Sequence, residues 1–182
     1  IETLPNNIKD ARVVCLDGDI KIREMTRDAE LKITNAEDYE SFLKAEQDRK
    51  EQISGSISDS GAGLIICSGE IDKDILHLLN DNGILAIGDL DSSELRNCSD
   101  ATGARIVETA LDICEEDLGI CGRVVWERGQ DSDEVEDVIR ILDCPYPSVV
   151  TIEVGGAGEA GTEEVIRGLH DSLRAASLAM NE

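Results

Sequence analysis

The chain has 182 residues, 41% of them hydrophobic, and a formal net charge of −23 from 40 acidic and 17 basic residues. That apolar content is too high for a disordered acidic tail, and the length suits one large domain or one domain plus part of another. So acidic a chain offers no basic patch for nucleic acid, and no apolar run approaches the ~20 residues of a membrane span.

Residues 11–16 (ARVVCL), 19–25 and 29–34 (AELKIT) read as strands. A long helix follows. Asn35 suits its N-cap, Glu37 and Asp38 suit its first turn, and Tyr39, Phe42 and Leu43 give it an apolar face. Phe42 and Leu43 are expected in the core. The apolar face then vanishes over residues 44–52 (KAEQDRKEQ) and resumes at Ile53 and Ile57. A helix that is polar all round does not pack on a core, so this stretch is expected to project from the body.

Gly63-LIIC is a short buried-strand candidate. Residues 71–82 (IDKDILHLLNDN) are helical and stop at Gly83, a natural left-handed cap. ILAI at 84–87 is a strand, 92–102 a helix, and ARIV at 104–107 a strand. The alternation implies layered α/β architecture. Residues 123–128 and 136–142 suggest a hairpin around Gly129-QDSD. DCPYPS at 143–148 is loop chemistry and a candidate domain boundary. SVVTIEV at 148–154 reads as a strand and 162–180 as a helix, and no internal repeat is visible.

Gly156-AGEAG is a literal G-x-G-x-x-G after that expected strand. A dinucleotide fingerprint also needs a second strand ending in an acidic residue about 20 residues on. Here the helix continues through SLRAASLAMN, and Glu159, Glu163 and Glu164 would crowd a pyrophosphate. A nucleotide-dependent oxidoreductase using residues 156–161 therefore stands as the enzyme-class alternative. An acidic α/β interaction module is the structural one. Glycines between a strand and a helix also make a hinge, because they absorb φ/ψ change cheaply.

Six cysteines at 15, 67, 98, 114, 121 and 144 form no C-x-x-C pair. No metal site is expected, and Cys15 and Cys67 read as small core residues. Eleven arginines against six lysines, with the acidity, suggest a salty cytoplasm, where self-repulsion is screened. An acidic protein from an ordinary cell is the competing reading. Ile1 in place of Met and an uncapped last helix suggest a piece of a longer protein.

The order ARVVCLD, AELKIT, long polar helix, GAGLIIC, IDKDILHLLNDNGILAI, ATGARIV, EEDLG, VTIEV and LHDSL resembles the group II chaperonins, the archaeal thermosome and its eukaryotic cytosolic relatives. ATGARIV and the join of helix, Gly83 and ILAI are the most specific parts. The resemblance implies an apical domain over 1–148, with layered sheets and helices and a helical protrusion at about 35–57 that serves as a built-in lid. It implies the returning part of an intermediate domain over 149–182. Ile75, His77, Leu78 and Leu79 fall where the family binds unfolded polypeptide. Gly155, Gly156, Gly158 and Gly161 fall at its hinge, and Asp171, in LHDSL, at its catalytic aspartate. On the helix 162–180, with a stripe of Val165, Leu169, Leu173, Ala176 and Met180, Asp171 points away beside Arg167 and Arg174. Read from the residues alone it is a solvated ion-pair member. The resemblance further implies an ATP-driven parent with Mg, sister subunits in a double ring, and no cofactor held by this piece itself. Two departures stand out: Gly88-DLDSSE replaces a basic family stretch, and Gly155-GAGEAG replaces Arg-Gly-Gly.

Overall fold

The structure, a computed structural model, describes residues 7–22, 36–127, 138–146, 149–155 and 158–180. It divides into two compact units, Ile1–Val149 and Val150–Glu182.

In the first unit a six-stranded sheet is built around β1 (Asn7–Leu16). Its second half pairs in parallel with β2 (Leu64–Cys67), and β2 pairs in parallel with β3 (Leu85–Ile87). On its other edge β1 has two neighbours. Asn7–Val13 pairs antiparallel with β5 (Gly119–Glu127), and Cys15–Leu16 pairs in parallel with β4 (Ile106–Val107). The hairpin partner β6 (Val138–Leu142) extends the sheet beyond β5. The parallel strands thus run in the order β3-β2-β1-β4.

Burial explains the strand chemistry. Parallel strands covered on both faces read as continuous apolar runs, and all four residues of β2, LIIC, are buried. On one face Val14, Leu16, Ile65 and Cys67 meet Ile53 and Ile57 of α1 (Ala36–Asp59) and Ile75 and Leu79 of α2 (Lys73–Asp81). On the other face Val13, Cys15, Leu64, Ile66, Cys121 and Val124 meet Leu95 of α3 (Ser92–Thr102). Cys15 and Cys67 are indeed buried core residues.

Local signals set the boundaries. The Asp72 carboxylate caps α2, accepting from the N–H groups of Asp74 and Ile75 at 2.8 and 3.4 Å. Gly83, at φ +76°, ends it. The Ile84 N–H turns back to the Leu79 carbonyl at 2.9 Å, a closure that favours a residue without Cβ.

Two readings change, one lies outside the described residues, and the hairpin forms. Of 19–25, Ile20 makes only an isolated bridge to Ile71, and 23–35, with the expected strand 29–34, lie outside the described residues. The hairpin turn 128–137 lies outside them too, although β5 and β6 pair from Glu127↔Val138 onward. Residues 149–155 form no strand. A strand exists only where a neighbour takes its backbone N–H and C=O groups, and no described residue pairs with these.

The second unit is dominated by α4 (Glu159–Met180). It starts three residues earlier than its sequence suggests. The Gly158 carbonyl accepts from both the N–H and the hydroxyl of Thr162, at 3.1 and 3.0 Å, closing the first turn over Gly161.

Candidate functional site

The helix α1 changes character midway. From Tyr39 to Arg49 every residue is exposed except Glu46, which is half-buried. Side-chain pairs one turn apart join the end of this stretch to the next turn: Gln47 donates to Glu51 at 3.0 Å and Arg49 to Gln52 at 2.6 Å. Projection from the body thus fits residues 44–49. It does not extend to Lys50, which is only 8% exposed, and Ile53, Ser54 and Ile57 beyond it are buried. Nor are Phe42 and Leu43 core residues. They are 43% and 45% exposed, beside Tyr39 at 51%.

Lys50 is buried because it is matched. Its Nζ lies 2.6 Å from Asp74 Oδ2, 3.2 Å from Glu46 Oε1 and 3.7 Å from Asp72 Oδ2. A lysine can lay its aliphatic stem on apolar surface while the ammonium finds partners. The hydrogen bond to Asp74 raises the Lys50 pKa above its ordinary value, and the same bond lowers that of Asp74.

The four candidate polypeptide-binding residues on α2 separate. Ile75 and Leu79 are fully buried in the sheet-facing core, so their side chains are not available to a partner. His77 is exposed and Leu78 half-buried. The helical period imposes this division, since residues four apart share a face and those between them point elsewhere. The apolar residues missed as surface candidates, Tyr39 and Phe42, lie on α1.

The order β3-β2-β1-β4, with α1 and α2 on one face and α3 on the other, places a topological switch point beside β1. The carboxyl ends of strands at such a point are the usual ligand crevice of open α/β sheets. A cleft of about 860 Å3 lies there, lined by Asp17, Asp19, Ser68, Glu108, Lys21 and Arg49 among others. Its lysine is engaged with Asp19 and Glu70, at 3.1 and 3.4 Å. Three carboxylates on the wall oppose a phosphate group, so the lining does not fit a nucleotide. Among the described residues no three His, Cys, Asp or Glu side chains converge as a metal site.

The glycine motif sits in the second unit. Gly155 is exposed, Gly156 lies outside the described residues, Gly158 has φ +134°, and Gly161 is inside α4. The strand that a dinucleotide turn requires is missing before it, which removes the structural context of the oxidoreductase alternative. Asp171 is exposed on α4, and no ion pair joins it to Arg167 or Arg174. No described helix is long and apolar enough to cross a membrane.

The whole chain, residues 1–182, matches the TCP-1/cpn60 chaperonin family, and it belongs to that family. Within it the chain is similar to archaeal thermosome subunits. It is 29% identical to thermosome subunit beta of Archaeoglobus fulgidus and 31% identical to the thermosome subunit of Methanopyrus kandleri, each over 98% of this chain and 32% of the relative. It is 33% identical to thermosome subunit beta of Methanothermobacter thermautotrophicus, over 93% of this chain and 31% of that relative. The fold is that of the open-state monomer of a group II chaperonin from Methanococcoides burtonii, with a TM-score of 0.72 at 20% identity, covering 96% of this chain and 36% of that one. The chain thus spans about a third of the length of these relatives and corresponds to a segment of a group II chaperonin subunit.

Proposed function

We propose that residues 1–148 are the apical, polypeptide-binding segment of a group II chaperonin subunit and that residues 149–182 are the returning part of its intermediate domain. The observation that carries this reading is the first half of α1, where Tyr39, Phe42 and Leu43 stand exposed on one helical stretch. Non-native chains are recognised by apolar area that a folded protein would hide, and an exposed apolar patch marks an interaction site. On this reading the stretch belongs to the family's built-in lid. His77 and Leu78 supply a second, smaller contact on α2.

The activity of the whole subunit follows from the same reading. It is an ATP-driven chaperonin of the cytoplasm, assembled with sister subunits into a double ring. ATP and Mg are held by parts of the subunit other than these residues, whose cleft opposes phosphate. The glycines 155, 156, 158 and 161 form the hinge, and Asp171 is the catalytic aspartate of the assembled ring.

Suppression of aggregation tests the binding claim. The full-length protein should keep a chemically denatured model enzyme from scattering light. Replacing Tyr39, Phe42 and Leu43 together by Ser should remove most of that protection, and His77→Ser with Leu78→Ser a smaller part. Full protection by both variants would overturn the assignment.

A further inference from the structure

Lys50 marks the point at which α1 passes from exposed to packed. Before it, the described residues from Tyr39 to Arg49 are exposed apart from half-buried Glu46. After it, Ile53 and Ile57 are buried against β1, β2 and α2. At that point three carboxylates from two helices converge on one ammonium, at 2.6, 3.2 and 3.7 Å. Glu46 belongs to the exposed half of α1. Asp72 is the N-cap of α2, its other oxygen holding the N–H groups of Asp74 and Ile75. Asp74 lies in the first turn of α2.

We infer that Lys50 is an electrostatic joint that fixes the projecting half of α1 to the N-terminus of α2, so that the two move as one piece. Like charges disfavour one another at this range, and the ammonium is the group that lies against all three. With the ammonium removed, Glu46 is left facing Asp72 and Asp74, and the helix is driven off α2 from the turn of Glu46 to the turn of Ile53. No apolar side chain larger than that of Ala45 lies between Lys44 and Gln52 to resist that motion. The bond network also makes the joint directional. Asp72 both caps α2 and faces Lys50, so loosening α1 reaches the first turn of α2, ahead of exposed His77. Lys50 acts through these carboxylates and is a positioning residue. The inference stands on this geometry whether or not either helix binds polypeptide.

Amide exchange read by mass spectrometry on the full-length protein tests it. Lys50→Met keeps the aliphatic stem and removes the charge. It should speed exchange over residues 46–52 and 73–76 by about tenfold or more, the scale of a local opening, and leave β2 at 64–67 unchanged. Lys50→Arg should restore slow exchange. A second route keeps Lys50 and the cap: Asp72→Asn with Asp74→Asn should loosen the same two segments, since Asn is also a good N-cap. Wild-type exchange in Lys50→Met would overturn the joint. So would loosening of 46–52 with 73–76 unchanged, and so would equal acceleration in β2, which would make Lys50 a residue of global stability instead.

Discussion

The two halves of α1 are one continuous helix of 24 residues, yet they obey different rules. The second half is held by burial: Ile57 is wholly inaccessible and Ile53 nearly so. The first half has no such burial and carries Tyr39, Phe42 and Leu43 outward. Helix formation alone therefore says little about where a helix lies. What distinguishes the halves is whether apolar side chains recur on a face that has a partner, and in this chain the partner ends at Lys50.

Substitution should break that comparison most visibly. Ile57→Ala should cost about 2–5 kcal/mol, as for large-to-small changes in a packed core, whereas Phe42→Ala should stay within about 0.5 kcal/mol. Denaturant midpoints measure both, and equal losses would show that the first half is packed after all.

The packed body can be sharpened by alkali. Burial pushes the Cys15 and Cys67 thiols up to about 12 and the Cys121 thiol up to about 11. Unfolding frees each thiol to ionise near its ordinary value of about 8.5. Between that value and the folded one the unfolded state binds fewer protons, so stability falls as pH rises, by up to about 1.4 kcal/mol per pH unit for each thiol. Below about pH 8 the three contribute no slope. Replacing all three by Ala should flatten the alkaline decline, and an unaltered decline would assign it to other groups.

Salt acts more on the exposed surface than on the core. With a net charge of −23, molar KCl should raise the melting temperature over dilute buffer by screening self-repulsion. A melting temperature indifferent to KCl would count against a halophilic surface. The smallest effect on stability is expected on α4. Asp171→Ala should change stability by no more than about 0.5 kcal/mol, as for ordinary surface positions; if the proposed catalytic role holds, it should also cut ATP turnover of the full-length, assembled protein by roughly 10²-fold or more, the scale of a lost general base. Wild-type turnover would leave Asp171 as a solvated surface residue.

Much of the fold was legible because local signals and burial agree. LIIC, the Gly83 stop and the alternating elements from 63 to 107 all appear close to where sequence puts them. The failures share a cause, which is dependence on distant partners. SVVTIEV has strand chemistry, but pairing decides whether a strand forms. Phe42 and Leu43 have core chemistry, but nothing in their own segment says whether a partner lies opposite. Lys50 sits in a run with no large apolar residue, and its burial depends on Asp72 and Asp74, more than 20 residues away. The burial of the candidates on α2 was partly legible. The resemblance pointed to α2, but the helical period, available in the sequence, already separates Ile75 and Leu79 from His77.

Site-specific photocrosslinking in the full-length protein tests the polypeptide-binding claim most directly. A photoreactive side chain is placed in turn at Phe42, at Leu78 and at Glu115, an exposed position far along the chain from both. A chemically denatured, labelled polypeptide is then added and illuminated. The account predicts strong adducts at Phe42, weaker ones at Leu78, and none above background at Glu115. Equal labelling at all three positions, or labelling at Glu115 alone, would contradict it.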